Sequence, residues 1–563
     1  MNIKEHLAEL IHSRVSDHLT VEEVQAALEV PKHQGQGDLA FPCFILAKAL
    51  RKAPQMIAQE IAEGLRDDYV ERVEVAGPYI NFFFKSGKIA ENVLTTIIEK
   101  GEHYGDLEIG HGENICIDMS SPNIAKPMSM GHLRSTVIGN AIGNIVEKVG
   151  FHSVRINHLG DWGTQFGKLI VAYRKWGDPE VVKANPIQEL NRLYVKFHQE
   201  AEKEPELDDL ARAAFKKLED GDEEEVELWK WMRSESIQEF QTIYDLLNIS
   251  FDSMNGEAFY NDKMDAVIDE LEEKGLLKID NGATLVDLEK YDLIPALVKK
   301  SDGATLYMTR DLAAVFYRKK NYDFDQCLYV VGNEQSIHFK QLKAVVKEMG
   351  YDWNEDIHHI PFGLITQGGQ KLSTRKGKVI LLAKVLDEAI ELARQQIESK
   401  NPALENKEAV AESVGVGAVV FHDLKNDRLN NFDFDLQEVV QFEGETGPYV
   451  QYANARAQSI LRKGNFHISS EETYSLEDER AYQVVKTLDR FPAIVEKAYL
   501  DYEPSVIAKY ALSLAQAFNK YYAHTRVLAE DDQQNARLAL VYCVSCVLTE
   551  SLRLLGVQAP KEM

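Results

Sequence analysis

Asn114-Ile-Cys-Ile-Asp118, then Ser121-Pro-Asn-Ile-Ala-Lys-Pro-Met-Ser-Met-Gly-His-Leu-Arg134, then Ser153-Val-Arg-Ile-Asn157 are the stretches that decide the architecture. The first is an apolar run of strand length. The second starts as a polar loop and turns helical near Gly131, with Leu133, Val137, Ile138, Ala141, Ile142 and Ile145 on one face. The third is another apolar strand. Strand, helix and strand at this spacing form a βαβ unit, which implies a parallel sheet.

Working outward, the rhythm breaks at residues 177–250, which are charged and helical. Glu206, Asp208, Asp209 and Glu223-Glu-Glu225 mark that stretch as an acidic, solvated helical insertion. The α/β pattern then returns. Cys327-Leu-Tyr-Val-Val331 reads as a buried strand, Gln335 to Met349 as a helix, and His359-Ile-Pro-Phe-Gly-Leu-Ile365 as a further strand. Upstream, an amphipathic helical pattern gives way to alternation through Arg72-Val-Glu-Val-Ala and Pro78-Tyr-Ile-Asn-Phe-Phe-Phe84, and closes on the turn-rich run Gly101 to Gly112. After residue 410 the chain is almost entirely helical, with Gly447, Pro448 and Gly464 as the main breaks. The expected organisation is an α+β module over 1–112, a Rossmann-type α/β domain with a parallel sheet over 113–410, and an all-α bundle over 411–563.

Composition narrows the function. A chain of 563 residues suggests three or four domains, and 45% apolar with 27% charged residues excludes a disordered scaffold or a fibre. The balance of 63 Lys+Arg against 90 Asp+Glu, a formal charge of −27, argues against an all-over basic coat for nucleic acid or membrane. A local basic groove remains compatible with it. The most apolar stretch, Leu538 to Leu548, has about half the ~20 residues a bilayer requires and reads as a core helix. MNIKEHLAEL carries Glu5, His6 and Glu9 where a signal peptide needs an apolar region. Five cysteines sit in apolar runs, and Cys543-x-x-Cys546 has no second ligand pair beside it. Buried reduced thiols rather than zinc or disulfides are expected, hence a cytoplasmic chain with no membrane partner.

Two loops carry candidate chemistry. In the first, Gly131-His132 enters a helix, where free amides and the positive end of the helix dipole favour a phosphate. Gly131 allows close backbone approach, and Lys126 and His132 supply donors. In the second, Gly368-Gly-Gln-Lys-Leu-Ser-Thr-Arg-Lys-Gly377 places Lys371, Arg375 and Lys376 between glycines. A mobile cationic loop of this kind can close over a triphosphate and stabilise developing charge. Taken singly, the first reads as a capped helix start and the second as a solvated basic loop.

Together they are familiar. Ser129-Met-Gly-His132 resembles the HIGH element of class I aminoacyl-tRNA synthetases, and Lys371-Leu-Ser-Thr-Arg375 resembles their KMSKS element. Ser121-Pro-Asn-Ile-Ala-Lys-Pro127, Gly160-Asp-Trp-Gly-Thr-Gln165, Leu306-Tyr-Met-Thr-Arg-Asp311 and Gly447-Pro-Tyr-Val-Gln-Tyr-Ala-Asn-Ala-Arg456 resemble the arginyl-tRNA synthetase family of bacterial type, over essentially the whole chain. Ser129 stands where HIGH usually has His, and Thr374 where KMSKS has its second lysine; Lys126 matches a lysine thought to take over the lost charge in this family.

The resemblance implies a ligase for protein synthesis that joins L-arginine to its tRNA through an arginyl-adenylate, using ATP with its Mg2+ and no zinc. It implies catalytic roles for Lys126, His132 and Lys371, and ATP contacts from Ser129, Gly131, His132, Lys371 and Ser373. A guanidinium presents five donors in a rigid fork, so its pocket needs acceptors aimed at that fork. Tyr307 and Asp311, four apart, can share a helix face. They resemble the family's substrate-binding pair, and Gln335 and Glu257 resemble further contacts. Asp118, Ser121 and Asn123 match residues around the substrate's α-amino group. Read without the family, Tyr307 is equally a core residue, Asp311 a helix N-cap and Asp118 a strand-end cap. Lysine would leave acceptors set for a fork unpaired.

On the RNA side, the N-terminal module resembles the family's tRNA-elbow add-on, with Asn81 and Phe82 in its best-matched stretch. Tyr449, Ala453, Tyr521 and Met563 match anticodon contacts, the tyrosines either as stacking platforms or packed between helices. A monomer is expected. A small-molecule nucleotidyltransferase would not need the N-terminal module or the C-terminal helices, and a non-catalytic RNA-binding relative has Ser129 alone in its favour.

Overall fold

The structure, a computed structural model, describes every residue except 1, 34, 302–306, 372, 373, 376, 377, 470 and 471, with backbone alone at 374, 375, 378 and 379. It divides into two compact units, each drawn from three stretches: 1–104, 453–491 and 513–548 in the first, 105–452, 492–512 and 549–563 in the second. Of the helical stretch read over 411–563, residues 453–491 and 513–548 belong to the first unit and the rest to the second.

In the first unit, strands Leu39–Pro42, Tyr79–Phe84 and Val70–Ala76 form an antiparallel sheet in that order. Gly77, at φ +59°, makes the tight turn of the hairpin. The face carrying Ile80, Phe82 and Phe84 is buried, which is the period of two that the alternating sequence demands. Helices from the C-terminal stretch complete this core. Tyr104 Oη donates to the Leu488 carbonyl at 2.9 Å, and the Cys543 thiol lies 3.7 Å from the Leu94 carbonyl.

The second unit is built on a four-stranded parallel sheet in the order Ile357–Ile360, Phe324–Val330, Asn114–Asp118, His152–Ile156. From Asn114–Asp118 the chain goes first to one neighbour and later returns to the other. The switch point therefore lies between Asn114–Asp118 and Phe324–Val330, where open α/β sheets bind ligands beyond the carboxyl ends of their strands. The crossover helix Met130–Lys148 buries all six apolar residues named above at 1% exposure or less.

One sequence expectation gives way. The strand expected over His359–Ile365 splits at Pro361, which has no N–H for a ladder. Ile357–Ile360 stays in the parallel sheet, while Ile365–Gln367 joins a separate sheet between Gln370–Lys371 and Phe432–Asp433. The break at Gly447 and Pro448 marks the start of helix Gly447–Lys463, where proline's missing N–H costs nothing. Helices run through 179–246, and the last of them, Glu223–Leu246, does more than face solvent. Trp229 Nε1 donates to the Asp161 carbonyl at 2.9 Å, Arg233 pairs with Asp161 at 2.8 Å, and Tyr244 is fully buried against the loop after Asp118. Among the described residues no helix is long and apolar enough to cross a membrane.

Candidate active site

The carboxyl ends of the two central strands are tied together by hydroxyls. Ser135, on the crossover helix, donates to the Val330 carbonyl at 2.7 Å and accepts from the Ser120 amide at 2.9 Å. Thr136 Oγ1 reaches Ser120 Oγ at 2.8 Å, and Tyr244 Oη lies 2.7 Å from Ser120 Oγ and 3.0 Å from Asn157 Nδ2. Ser120, Ser121 and Ala125 all take positive φ, of +69°, +52° and +61°. Such backbone costs on the order of 1–3 kcal/mol per residue and persists where surrounding bonds over-determine it, typically at functional loops. The loop is also stitched to the segment after the next strand. Ile124 N donates to the Gly160 carbonyl at 3.1 Å and Gly160 N to the Pro122 carbonyl at 3.0 Å. A Cβ on Gly160 would meet the Asn123 side-chain oxygen at 2.0 Å, so a larger residue there would displace the Asn123 side chain.

At the phosphate-type end, Ser129 is the N-cap of helix Met130–Lys148. Its Oγ accepts from the Gly131 amide at 3.3 Å, and its backbone N–H donates to His132 Nδ1 at 3.0 Å. An Nδ1 that accepts leaves the ring proton on Nε2. Burial pushes the His132 pKa down, with the Ser129 bond opposing it, so the ring is a neutral Nε2–H donor near pH 7. Gly131 and Lys126 are exposed, and the Lys126 ammonium sits 5.6 Å from the Tyr194 ring of the insertion. The segment just after the second loop identified from sequence, Ile380–Leu382, meets the first loop through backbone. Met130 N donates to the Ile380 carbonyl at 3.1 Å and Leu382 N to the Met128 carbonyl at 2.9 Å. Lys371 is exposed, paired in register with Thr366 across a hairpin whose turn is Gly368-Gly369. Ser373 lies outside the described residues.

At the other end, Asp118 is buried, accepts from Ser121 Oγ at 3.2 Å and pairs at 2.8 Å with Arg318, itself 1% exposed. Asn123 is exposed. Asp311, in helix Tyr307–Tyr322, accepts from His338 Nε2 at 2.5 Å. Burial acts to raise the Asp311 pKa, but the His338 bond and the charges of His338, His158 and Arg318 outweigh it and hold the carboxyl below its usual range. Glu257 goes the other way: burial pushes it up to about 7 against the pull of Arg310, with Asp161 and Asp311 adding to the rise. Arg310 donates to the Glu257 backbone carbonyl and, at 2.7 Å, to Asn261 Oδ1. His158, half-buried with its ring 5.7 Å from that of Tyr260, feels Asp118, Asp311 and Asp161 together, which sets two of the expected acidic residues, Asp118 and Asp311, around one centre with Asp161, to which the sequence reading gave no site role. Gln335 is exposed at the start of helix Ser336–Glu348, beyond the end of Phe324–Val330, and Tyr307 is 71% exposed rather than core.

Sequence reading missed Ser135, Tyr244, Arg318, His158 and His338. His338 alone carried a usable signal, three residues after Gln335 and so on its helix face. The others belong to no local pattern.

The expected RNA contacts need correction. Phe82 and Ala453 are fully buried, Asn81 is 6% exposed, and Tyr521 is 1% exposed with no hydrogen-bond partner for its hydroxyl among the described residues. Tyr521 is therefore packed between helices and offers no stacking face. Tyr449 is half-buried on helix Gly447–Lys463. Met563 packs on a cluster that includes Ile397 and Phe442, its carbonyl accepting from Asn401 at 3.2 Å.

Comparison with known proteins agrees with this geometry. Residues 93–436 match the family described as tRNA synthetases class I (R), catalytic domain; 450–563 match the DALR anticodon binding domain; 1–84 match the arginyl tRNA synthetase N terminal domain. The chain is 62% identical over 563 residues to the arginine–tRNA ligase of Enterococcus faecalis and 62% to that of Latilactobacillus sakei, covering all of both chains in each case. Its fold matches the arginyl-tRNA synthetase of Thermus thermophilus at a TM-score of 0.82, with 25% identity and full coverage of both chains. On its strand order, its paired loops and these matches along its whole length, the chain belongs to the class I arginyl-tRNA synthetases.

Proposed function

We infer that the ATP-dependent ligation of arginine to tRNA performed by this family runs here through the residues gathered at the carboxyl edge of the parallel sheet. The arginine carboxylate attacks the α-phosphorus of ATP, forming arginyl-adenylate and releasing pyrophosphate. The 2′-hydroxyl of the terminal tRNA adenosine then attacks the adenylate carbonyl, and AMP leaves. No side chain acts as nucleophile, so catalysis is positioning plus charge stabilisation. His132, as a neutral Nε2–H donor, and Lys126 hold phosphate oxygens; Gly131, exposed at the helix start and without a side chain, lets the nucleotide approach the backbone closely. Lys371 grips the departing pyrophosphate, with Mg2+ arriving on the nucleotide. Ser129 serves mainly by capping the helix and orienting His132, its hydroxyl being engaged in the cap. Asp311, Glu257, Tyr307 and Gln335 receive the guanidinium end, and Asp118, Ser121 and Asn123 the α-amino end. Tyr449 and Met563 remain the candidates for RNA contact. The five free thiols fit a cytoplasmic protein, which we read as a monomer.

The backbone pairing of Met128–Met130 with Ile380–Leu382 supports this reading most directly, because it ties the segment that follows the Lys371 loop to the start of the His132 helix. Pyrophosphate exchange across the twenty amino acids, with and without tRNA, tests it. Exchange confined to arginine and dependent on tRNA is expected. Exchange on another acid without RNA would point to a small-molecule nucleotidyltransferase, and RNA binding without exchange to a non-catalytic relative.

A further inference from the structure

Helix Ser336–Glu348 brings a second residue to the arginine end, one turn past Gln335. His338 Nε2 lies 2.5 Å from Asp311 Oδ2, with the two side chains 22% and 24% exposed. Among the described residues this is the only hydrogen bond that the Asp311 side chain receives. The imidazole is braced as well. Its ring packs edge-on against Phe339, with centroids 5.3 Å apart. Phe339 in turn lies between Tyr329 at 4.8 Å and His359 at 4.7 Å, the latter stacked within 27°. Asp311 therefore meets a donor whose own orientation is set by an aromatic stack.

We propose that His338 is a positioning residue for arginine recognition, its Nε2–H holding the Asp311 carboxylate in the orientation that accepts the substrate guanidinium. The inference rests on the assignment of Asp311 to the arginine pocket. An ionised carboxylate offers about four acceptor directions. His338 takes one on Oδ2, and the rest can receive the fork of a guanidinium. The same bond offsets the burial that would otherwise disfavour the charged carboxylate. Without it, Asp311 turns more freely and ionises less readily. Both effects weaken pairing with a cationic substrate and leave the nucleotide end alone.

The test is tRNA-dependent pyrophosphate exchange on the full chain, with His338→Ala, His338→Gln, His338→Phe and Asp311→Asn. His338→Ala is expected to raise the arginine KM on the order of ten- to a hundredfold, the effect of one charge-assisted hydrogen bond. The ATP KM and kcat should stay within about threefold. His338→Phe, which keeps the ring packed on Phe339 but has no donor, should behave like the alanine variant and separates lost positioning from lost folding. His338→Gln retains an N–H at similar reach and should recover most of the arginine affinity. His338→Ala added to Asp311→Asn should do no further harm. An arginine KM within about twofold of the parent in both His338→Ala and His338→Phe would overturn the proposal. So would parallel rises in arginine and ATP KM, or no recovery with glutamine. If Asp311→Asn itself leaves the arginine KM unchanged, the pocket assignment falls first; if only Asp311→Asn matters, the loss is confined to His338.

Discussion

At the scale of single residues, two carboxyls titrate in opposite senses, Asp311 next to Arg310 in the chain and Glu257, whose backbone carbonyl Arg310 bonds. Asp311 is held low and stays ionised across the working range, whereas Glu257 is pushed up to about 7, mainly by burial. A cation pairs only with the ionised form, so on the pocket assignment proposed above Glu257 contributes to arginine binding above that pH and loses its contribution below it. The arginine KM is expected to fall as pH rises from 6 to 8, and to fall less in Glu257→Gln; identical profiles would remove Glu257 from the pocket. The stability sign is opposite. A carboxyl raised in the fold favours folding when protonated, so its contribution is lost as pH rises from the ordinary carboxylate range through about 7. At the nucleotide end, Lys371→Ala should lower adenylate formation on the order of 10²–10³-fold and leave arginine affinity within about twofold. Single-turnover kinetics beside equilibrium arginine binding would separate the two; a defect in binding alone would contradict a role at the pyrophosphate.

At the scale of elements, helix Met130–Lys148 is the organising piece. Its first turn presents His132, and its second carries Ser135 and Thr136 to both strand ends. Arg134, 1% exposed, reaches Asp423 at 3.3 Å and the Asn430 carbonyl at 3.0 Å. The insertion helix Glu223–Leu246 contributes Tyr244, whose hydroxyl joins Ser120 to Asn157 beneath a loop with three positive-φ residues. Tyr244→Phe should cost about 1–3 kcal/mol by leaving buried partners unmatched. It should also lower kcat for exchange, because the loop it fixes carries Ser121 and Asn123. Denaturant unfolding and exchange kinetics would check both; lost stability with unchanged kcat would reduce Tyr244 to a packing role.

At the scale of the whole molecule, −27 formal charges must coexist with a polyanionic partner. RNA binding is then confined to local basic strips, and its affinity includes counterion release. The tRNA KM for aminoacylation should rise by at least about tenfold between 50 and 200 mM KCl, while the arginine KM rises less, since a pocket-bound cation sheds few counterions. A tRNA KM insensitive to salt would mean that phosphates contribute little to binding. Among the tyrosines read from sequence for this partner, Tyr521 is the instructive failure. Its place in a helical, tyrosine-rich segment fits a stacking platform and a packed core residue equally, and 1% exposure decides for the core.

Periodicity is a local property, so the strands at Asn114 and Ser153, the amphipathic helix between them and the helical C-terminal stretch could be read from sequence. Glycines and cations at fixed spacing likewise marked both candidate loops. The splitting of His359–Ile365 at Pro361 was legible in hindsight, because a proline inside a strand reading already argues against it. Contacts that join residues far apart in the chain leave no such trace. Ser129 facing Leu381, Asp118 paired with Arg318, Tyr244 under Ser120 and His338 on Asp311 each depend on the path of the chain through the sheet. Local residue order set the elements and the chemistry they could carry, and tertiary packing alone chose which side chains were buried and which charges met, because burial and pairing are properties of neighbours in space.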